Sequence, residues 1–100
     1  MDLNLEGKKV VITGAGDGIG KELALKFAAE GALVSVCARS KDKLDSLENE
    51  ITGRGHVFVS CDLTDKSDLN FFYEKTLKGF NGLDVLINNV GGICKLAGFH

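Results

Sequence analysis

The chain has no proline and no tryptophan, and only one tyrosine and three cysteines among its 100 residues. Without proline, internal repeats or low-complexity segments, nothing signals a linker, so one domain or a part of one is expected. No apolar run reaches the roughly 18 residues that a membrane-spanning helix needs. A formal net charge of -2 without a cluster of Lys and Arg gives no reason to expect nucleic acid or an anionic membrane as partner.

The three cysteines, Cys37, Cys61 and Cys94, are widely spaced and lack the close pairs of a zinc site, so no metal is expected. Two of them are placed to end neighbouring strands, but buried free thiols in a reducing cytosol are favoured over a disulfide. The N-terminus has no basic segment followed by an apolar one. A signal peptide is therefore not predicted, and the protein is expected to be cytoplasmic.

The central motif is Thr13-Gly14-Ala15-Gly16-Asp17-Gly18-Ile19-Gly20, which follows the short β-branched run Val10–Ile12. Its glycines include a Gly-x-x-x-Gly-x-Gly spacing. Such a turn lets backbone N–H groups approach a phosphate, and the following helix directs the positive end of its dipole there. The motif predicts a site for the pyrophosphate of a dinucleotide. On the glycines alone, a turn without a ligand is the alternative.

Apolar periodicity predicts strands over 10–12, 33–38, 56–60 and 83–87, and helices over about 18–30, 41–52 and 65–79. Ser40 and Thr64 are the predicted N-caps of the second and third helices. No element is predicted after Asn88–Gly92. The stripe of the first helix that is expected to lie on the sheet consists of Ile19, Leu23, Ala24, Phe27 and Ala28.

Strands that alternate with helices predict an α/β fold, a Rossmann-like doubly wound parallel sheet of four strands in the order 3-2-1-4 with three helices. Residues 1–100 are interpreted as the N-terminal portion of one such domain. Ligands of these sheets bind beyond the carboxyl ends of the strands, where the strand order reverses. The glycine turn and Asn88–Gly91 both emerge at that point, which favours a dinucleotide site over an empty turn.

Ala38 and Arg39 end the second strand, where an enzyme that prefers NAD usually has an Asp or Glu for the ribose 2′-hydroxyl. Ala38 offers no carboxylate, and Arg39 can form two charge-assisted bonds with a 2′-phosphate. NADP(H) is therefore the predicted cofactor, in preference to NAD(H), although Arg39 could merely solubilise a loop. Asp17 weakens the case, because a negative charge in the phosphate turn helps neither cofactor.

Asp62 ends the third strand, where a carboxylate can accept from the exocyclic amine of adenine, and the Leu63 backbone can continue the contact. The alternative is that Asp62 helps Thr64 to cap the next helix. Asn89 could hold the ribose region or tie neighbouring strands together. By contrast, His56 is interpreted as a packing or solvent-facing residue far from the crevice.

The glycine motif resembles the cofactor-binding signature of the short-chain dehydrogenase/reductase family. Asn88-Asn89-Val90-Gly91 resembles the second signature of the family, which is usually Asn-Asn-Ala-Gly. Asp62-Leu63 is similar to the residues that contact adenine in this family. Ala38-Arg39 resembles the corresponding residues of the members that prefer NADP. The residues expected to bind the cofactor are Thr13, Gly14, Gly16, Asp17, Gly18, Ile19, Gly20, Arg39, Ser40, Asp62, Leu63, Asn89 and Gly91.

The resemblance implies hydride transfer between a nicotinamide and a ketone or secondary alcohol, with a Ser and a Tyr-x-x-x-Lys pair as catalytic residues. The single tyrosine, Tyr73, is followed by Leu77 where the Lys would be needed, so no catalytic residue is assigned. We therefore expect a piece of an NADP-dependent oxidoreductase, from truncation or an early-ending gene model, that is inactive alone. The full-length form is expected to be a homo-oligomer.

The alternative is a non-catalytic nucleotide-binding or interaction module, and the coding sequence beyond His100 would distinguish the two. A sugar-nucleotide epimerase is a poorer match, because such enzymes usually carry a Gly-x-x-Gly-x-x-Gly turn and an acidic residue after the second strand. Without a fifth strand, the fourth strand is expected to be an open edge, which predicts aggregation or dependence on a partner.

Overall fold

The computed structural model describes residues 5–14, 18–62, 64–80, 82–90 and 93–98, with the backbone only for 88–90 and 93–98. Strands and helices alternate up to the fourth strand, and a fifth strand follows it directly. None of the described helices is long and apolar enough to cross a bilayer. The elements are β1 (Lys9–Thr13), α1 (Gly18–Ala29), β2 (Leu33–Ala38), α2 (Lys41–Glu50), β3 (Val57–Ser60), α3 (Lys66–Phe80), β4 (Val85–Val90) and β5 (Ile93–Gly98).

The sheet has the order β3-β2-β1-β4-β5, and its first four members are parallel. The predicted α/β fold and the order 3-2-1-4 are thereby confirmed. β1 lies at the centre, where Val10 is paired with Val34 on one side and with Val85 on the other. Such a strand is covered on both faces, which explains why its sequence is a continuous apolar run rather than an alternating one.

The expectation of an open edge at β4 is wrong, because β5 pairs with β4 antiparallel, from Val90 opposite Ile93 to Val85 opposite Gly98. A Gly-Gly pair between two apolar runs is a hairpin signal, and Gly91-Gly92 carried that signal in the sequence. β4 also extends further than predicted and includes both asparagines of the Asn-Asn motif.

The core is divided by the sheet into two layers. On one face, Val10, Ile12 and Val36 pack with α1 and α2, whose contributions include the buried Ala24 and Leu47. The opposite face is covered by α3, and its buried residues are Val11, Cys37, Val59, Cys61 and Phe72. Successive strand residues therefore serve alternate layers, as the pleat of a strand requires.

The stripe of α1 that contacts the sheet is narrower than predicted. The buried residues of this helix are Gly20, Ala24 and Ala28, whereas Ile19 is 54% exposed. Leu23 and Phe27 are only partly buried and flank the stripe. Small side chains let the helix axis approach the sheet closely, so the larger residues lie beside the contact rather than in it.

The helix caps agree with the sequence in one case and differ in the other. Ser40 caps α2 as predicted, since its Oγ accepts a hydrogen bond from the backbone N of Lys43 at 3.3 Å. Thr64 is not the cap of α3. The carboxylate of Asp65 accepts from the backbone N of Ser67 at 2.8 Å and, more weakly, from that of Asp68 at 3.4 Å. Asp65 directly precedes the helix and therefore occupies the cap position.

His56 acts as a structural residue at the amino end of β3, as predicted. Its Nδ1 accepts a hydrogen bond from the backbone N of Val34 at 3.1 Å. Nε2 lies 2.7 Å from the carbonyl oxygen of Thr52, to which it donates when Nδ1 serves as acceptor. The ring thus adds a hydrogen bond between the two chain segments one residue before the first backbone pair of β2 and β3, Ser35 with Val57.

A buried hydroxyl pair joins α3 to the sheet. Thr76 Oγ1 donates to the carbonyl oxygen of Phe72 at 2.8 Å. Its single hydrogen is then committed, so Ser35 Oγ must be the donor in the 2.6 Å bond between the two hydroxyls. Ser35 and Thr76 are both fully buried, so the bond between them gives each hydroxyl a hydrogen-bond partner inside the core.

We predict that Thr76→Val destabilises the fold by about 1–3 kcal/mol, because it keeps the side-chain shape but leaves the Ser35 hydroxyl buried without an acceptor. For a domain of this size, that corresponds to a fall in Tm of roughly 4–8 °C per kcal/mol. Thermal unfolding followed by circular dichroism measures the change.

The double variant Ser35→Ala/Thr76→Val is the matched control. It removes both hydroxyls and should be more stable than Thr76→Val alone, because no buried polar group is left unpaired. Equal stability of the single and double variants would contradict the assignment of this bond.

Candidate functional site

The site is built around the carboxyl end of β1. Thr13 is buried there, and its Oγ1 donates to the carbonyl oxygen of Ile87 in β4 at 3.5 Å. The next residue, Gly14, donates its backbone N–H to the carbonyl oxygen of Cys37 in β2 at 2.9 Å. The start of the glycine turn is therefore held on both sides, at the point where the strand order reverses.

Two glycines of the turn have conformations that favour glycine. Gly14 and Gly18 have φ values of 72° and 61°, a region that residues with a Cβ rarely adopt. Gly18 begins α1, and the exposed Ile19 follows it. The backbone N–H groups of the first helical turn thus lie beside exposed surface at the carboxyl edge of the sheet. Gly16 and Asp17 lie outside the described residues.

Arg39 and Ser40 follow the end of β2 as predicted. Arg39 is exposed, whereas Ala38 before it is buried. Ser40 uses its hydroxyl to cap α2. Arg39 and the amino end of α2 therefore lie together at the carboxyl edge of the sheet.

Asp62 binds Thr64 but does not cap α3, and its contact with adenine stays a prediction. Its Oδ1 accepts from the backbone N of Thr64 at 2.9 Å and from the Thr64 hydroxyl at 2.6 Å, which closes a local turn before α3. Among the described residues, no group donates to Oδ2. The two Thr64 bonds, and after them the positive charge of Arg39, hold the pKa of Asp62 below its ordinary value.

The Asn-Asn motif lies within β4 rather than after it. Asn88 is paired with Thr13 across the β1–β4 ladder, and Asn89 is one residue further toward the crevice. The backbone therefore brings Asn89 to the same edge as the glycine turn. Leu63 and Gly91, which complete the predicted set, lie outside the described residues.

Two thiols lie beneath this edge, on the face that α3 covers. Cys37 and Cys61 are free and buried, as predicted, and they lie close enough for each thiol to affect the pKa of the other. Burial raises the pKa of both thiols, and the carboxylates of Asp68 and Asp62 raise that of Cys61 further. Both therefore stay protonated near neutral pH and serve as packing groups. The nearby Tyr73 is also part of this layer, and burial raises the pKa of its phenol.

Other features of the described residues lie apart from the site. An apolar cavity of about 370 Å³ is lined by Leu5, Leu23 and Phe27, toward the end of α1 that is remote from the glycine turn. No group of three or more His, Cys, Asp or Glu side chains that could hold a metal ion occurs in the part of the chain that the structure describes.

The parallel sheet, the strand order and the glycine turn at its switch point define a doubly wound α/β domain of the nucleotide-binding type. Residues 8–99 match the family model described as short chain dehydrogenase. The chain belongs to the short-chain dehydrogenase family, whose members are oxidoreductases that bind nicotinamide dinucleotides.

Relatives with different substrates resemble the chain to a similar degree. It is 40% identical over 91 residues to a fatty acyl-CoA reductase of Mycobacterium tuberculosis, covering 89% of this chain and 31% of that protein. The apo glucose dehydrogenase of Caenorhabditis elegans superimposes with a TM-score of 0.83 at 31% identity, covering 89% of this chain and 40% of that chain. For the 3-ketoacyl-(acyl-carrier-protein) reductase of Brucella melitensis complexed with NADH, the TM-score is 0.76 at 36% identity, with coverages of 82% and 34%. The chain therefore spans about a third of the length of these relatives.

We predict that Cys37 and Cys61 resist thiol reagents in the folded chain, because both are buried and protonated. The assay uses a Cys94→Ser variant, so that only these two thiols are counted. Labelling by Ellman's reagent at pH 8 should be about tenfold or more slower in the folded chain than in guanidinium chloride. Equally fast labelling in both conditions would show that the layer beneath the site is open to solvent.

Proposed function

We propose that this chain is the cofactor-binding part of a cytoplasmic, NADP(H)-dependent oxidoreductase of the short-chain dehydrogenase type, an N-terminal portion of a single Rossmann domain. The observation that carries the proposal is the convergence of three predicted contacts at one edge of the sheet. The glycine turn leaves β1 there, Arg39 follows β2, and Asp62 follows β3. Each is suited to a different part of one dinucleotide.

The residues fit such a cofactor from its pyrophosphate to its adenine. Gly14 and Gly18 have positive φ values, and among the described residues no heavy atom lies within 4 Å of the position that a Cβ would take at Gly18, where α1 begins. Asp62 is held ionised, and its Oδ2 is available to accept from the adenine amine. The bound nicotinamide would supply hydride transfer to or from a ketone or secondary alcohol.

Preference for the 2′-phosphate is argued from Ala38 and Arg39. Ala38 is buried and has no carboxylate, so it does not repel a 2′-phosphate as an Asp or Glu at this position would. Arg39 is exposed at the same edge and can bind a 2′-phosphate through charge-assisted bonds, worth roughly 1.5–3 kcal/mol or about 10- to 150-fold in affinity. The Brucella melitensis relative was solved with NADH, so family membership alone does not decide the cofactor of this chain.

The catalytic half of the reaction is assigned to residues outside this sequence. The single tyrosine, Tyr73, belongs to the α3 layer and is followed by Leu77 rather than by a Lys at the required spacing. Relatives named for acyl-CoA, glucose and ketoacyl substrates all match this chain, so we propose no single substrate. The 100-residue chain should bind the nucleotide without turning it over, and the full-length enzyme is proposed to form homo-oligomers.

We predict that the chain binds NADPH more tightly than NADH, and that Arg39→Ala weakens NADPH binding about 10- to 150-fold while it changes NADH binding little. The reason is that only the 2′-phosphate distinguishes the two ligands. Isothermal titration calorimetry, or ¹⁵N NMR titration for weaker complexes, measures both affinities. Arg54→Ala is the matched control, because Arg54 is an exposed arginine in the loop before β3, at the opposite end of the sheet. Tighter binding of NADH by the unsubstituted chain would overturn the proposed preference.

A second prediction concerns turnover. Incubated with NADPH and a panel of ketones, the 100-residue chain should show no loss of absorbance at the nicotinamide band above the rate without protein. If the chain is extended by a coding sequence that supplies a Ser and a Tyr-x-x-x-Lys motif, activity should appear. Turnover by the 100 residues alone would show that catalysis uses groups other than the family's catalytic set.

A further inference from the structure

We propose that Ser60 is a positioning residue for the 2′-phosphate contact, because it anchors the backbone from which the Arg39 side chain extends. This inference rests on the proposed function of Arg39. Ser60 is the last residue of β3, and its Oγ donates to the carbonyl oxygen of Arg39 at 3.3 Å. Nothing in the local sequence of Ser60 reveals this contact, which arises from the β2–β3 register.

Arg39 lies one residue beyond the paired part of β2 and β3, so the regular strand pairing does not hold its backbone. The last paired residues of these strands are Ala38 and Ser60. The carbonyl oxygen of Ala38 accepts from the backbone N of Cys61 at 2.9 Å. The Ser60 hydroxyl then takes the next carbonyl, so β3 holds the peptide groups on both sides of the Arg39 Cα. Fixing both peptide planes limits the directions in which the Arg39 side chain can leave the backbone.

The strand pairing itself does not depend on the Ser60 hydroxyl. Four residue pairs join β2 to β3, and the Cys61–Ala38 backbone bond extends the ladder beyond them. The Ser60 side chain is exposed, so its removal leaves no buried group without a partner. The Ser60 hydroxyl binds a single carbonyl group. Removing it is therefore expected to widen the range of Arg39 orientations while the fold is preserved.

The test compares two adenine nucleotides, 2′,5′-ADP and 5′-AMP, which differ only in the 2′-phosphate. The readout is the ratio of their dissociation constants, measured by ¹⁵N NMR titration of the whole chain. A general loss of structure would weaken both ligands and leave the ratio unchanged. We expect Ser60→Ala to reduce the preference for 2′,5′-ADP about three- to tenfold, the range of one modest hydrogen bond.

Three further variants make the result specific. Ser60→Thr keeps the hydroxyl and should retain the preference, and Ser46→Ala, an exposed serine on α2, should leave it unchanged. If Ser60 acts through Arg39, adding Ser60→Ala to Arg39→Ala should cause no further loss.

The outcomes separate this inference from the function on which it rests. If Arg39→Ala leaves the ratio unchanged, the proposed NADP preference fails, and the role of Ser60 fails with it. If Arg39→Ala lowers the ratio but Ser60→Ala does not, or if Ser60→Ala acts equally in both backgrounds, only the positioning role of Ser60 is overturned.

Discussion

The structure depends on the way the carboxyl end of β1 is held. Thr13 bonds to a carbonyl of β4 through its side chain, and Gly14 bonds to a carbonyl of β2 through its backbone. These two bonds reach partners 74 residues ahead and 23 residues ahead in the chain. They fix the point from which the glycine turn departs, so a local motif acquires its orientation from the whole sheet. A turn with the same sequence in an isolated peptide would lack this constraint.

Much of this arrangement was predictable because it depends on patterns of short range. The continuous apolar run of β1 and the alternation of strands with helices indicated a parallel sheet, and the position of the glycine turn then indicated the crevice. The cap at Ser40 is likewise a local signal. Family resemblance identified the asparagine motif as a signature, and the structure places its two asparagines at the end of β4.

The features that the sequence did not reveal depend on packing and register. The close approach of α1 selects Ala24 and Ala28 over Ile19, although all three are apolar. Asp65 rather than Thr64 caps α3, because the helix begins at Lys66 and Asp65 is the residue directly before it. The contact of Ser60 with the Arg39 carbonyl requires knowledge of which residues face each other across two strands, and no single segment carries that information.

Residues of opposite charge follow β2 and β3 at the carboxyl edge of the sheet. Arg39 and Asp62 are close enough for the arginine to lower the pKa of the carboxyl group. This edge therefore carries an arginine after β2 and a carboxylate after β3. In the proposed complex, the 2′-phosphate would adjoin the cation and the adenine amine would adjoin the anion, which orients the nucleotide as well as binding it.

The antiparallel direction of β5 has a consequence for how the molecule can be handled. The chain enters the sheet at Lys9 and leaves it at Gly98, and both residues lie at the amino end of the parallel strands. The glycine turn, Arg39 and Asp62 are at the opposite end. A tether or fusion partner joined beyond Gly98 therefore starts from the amino edge of the parallel strands, so the chain can be immobilised with the opposite, carboxyl edge directed toward solution.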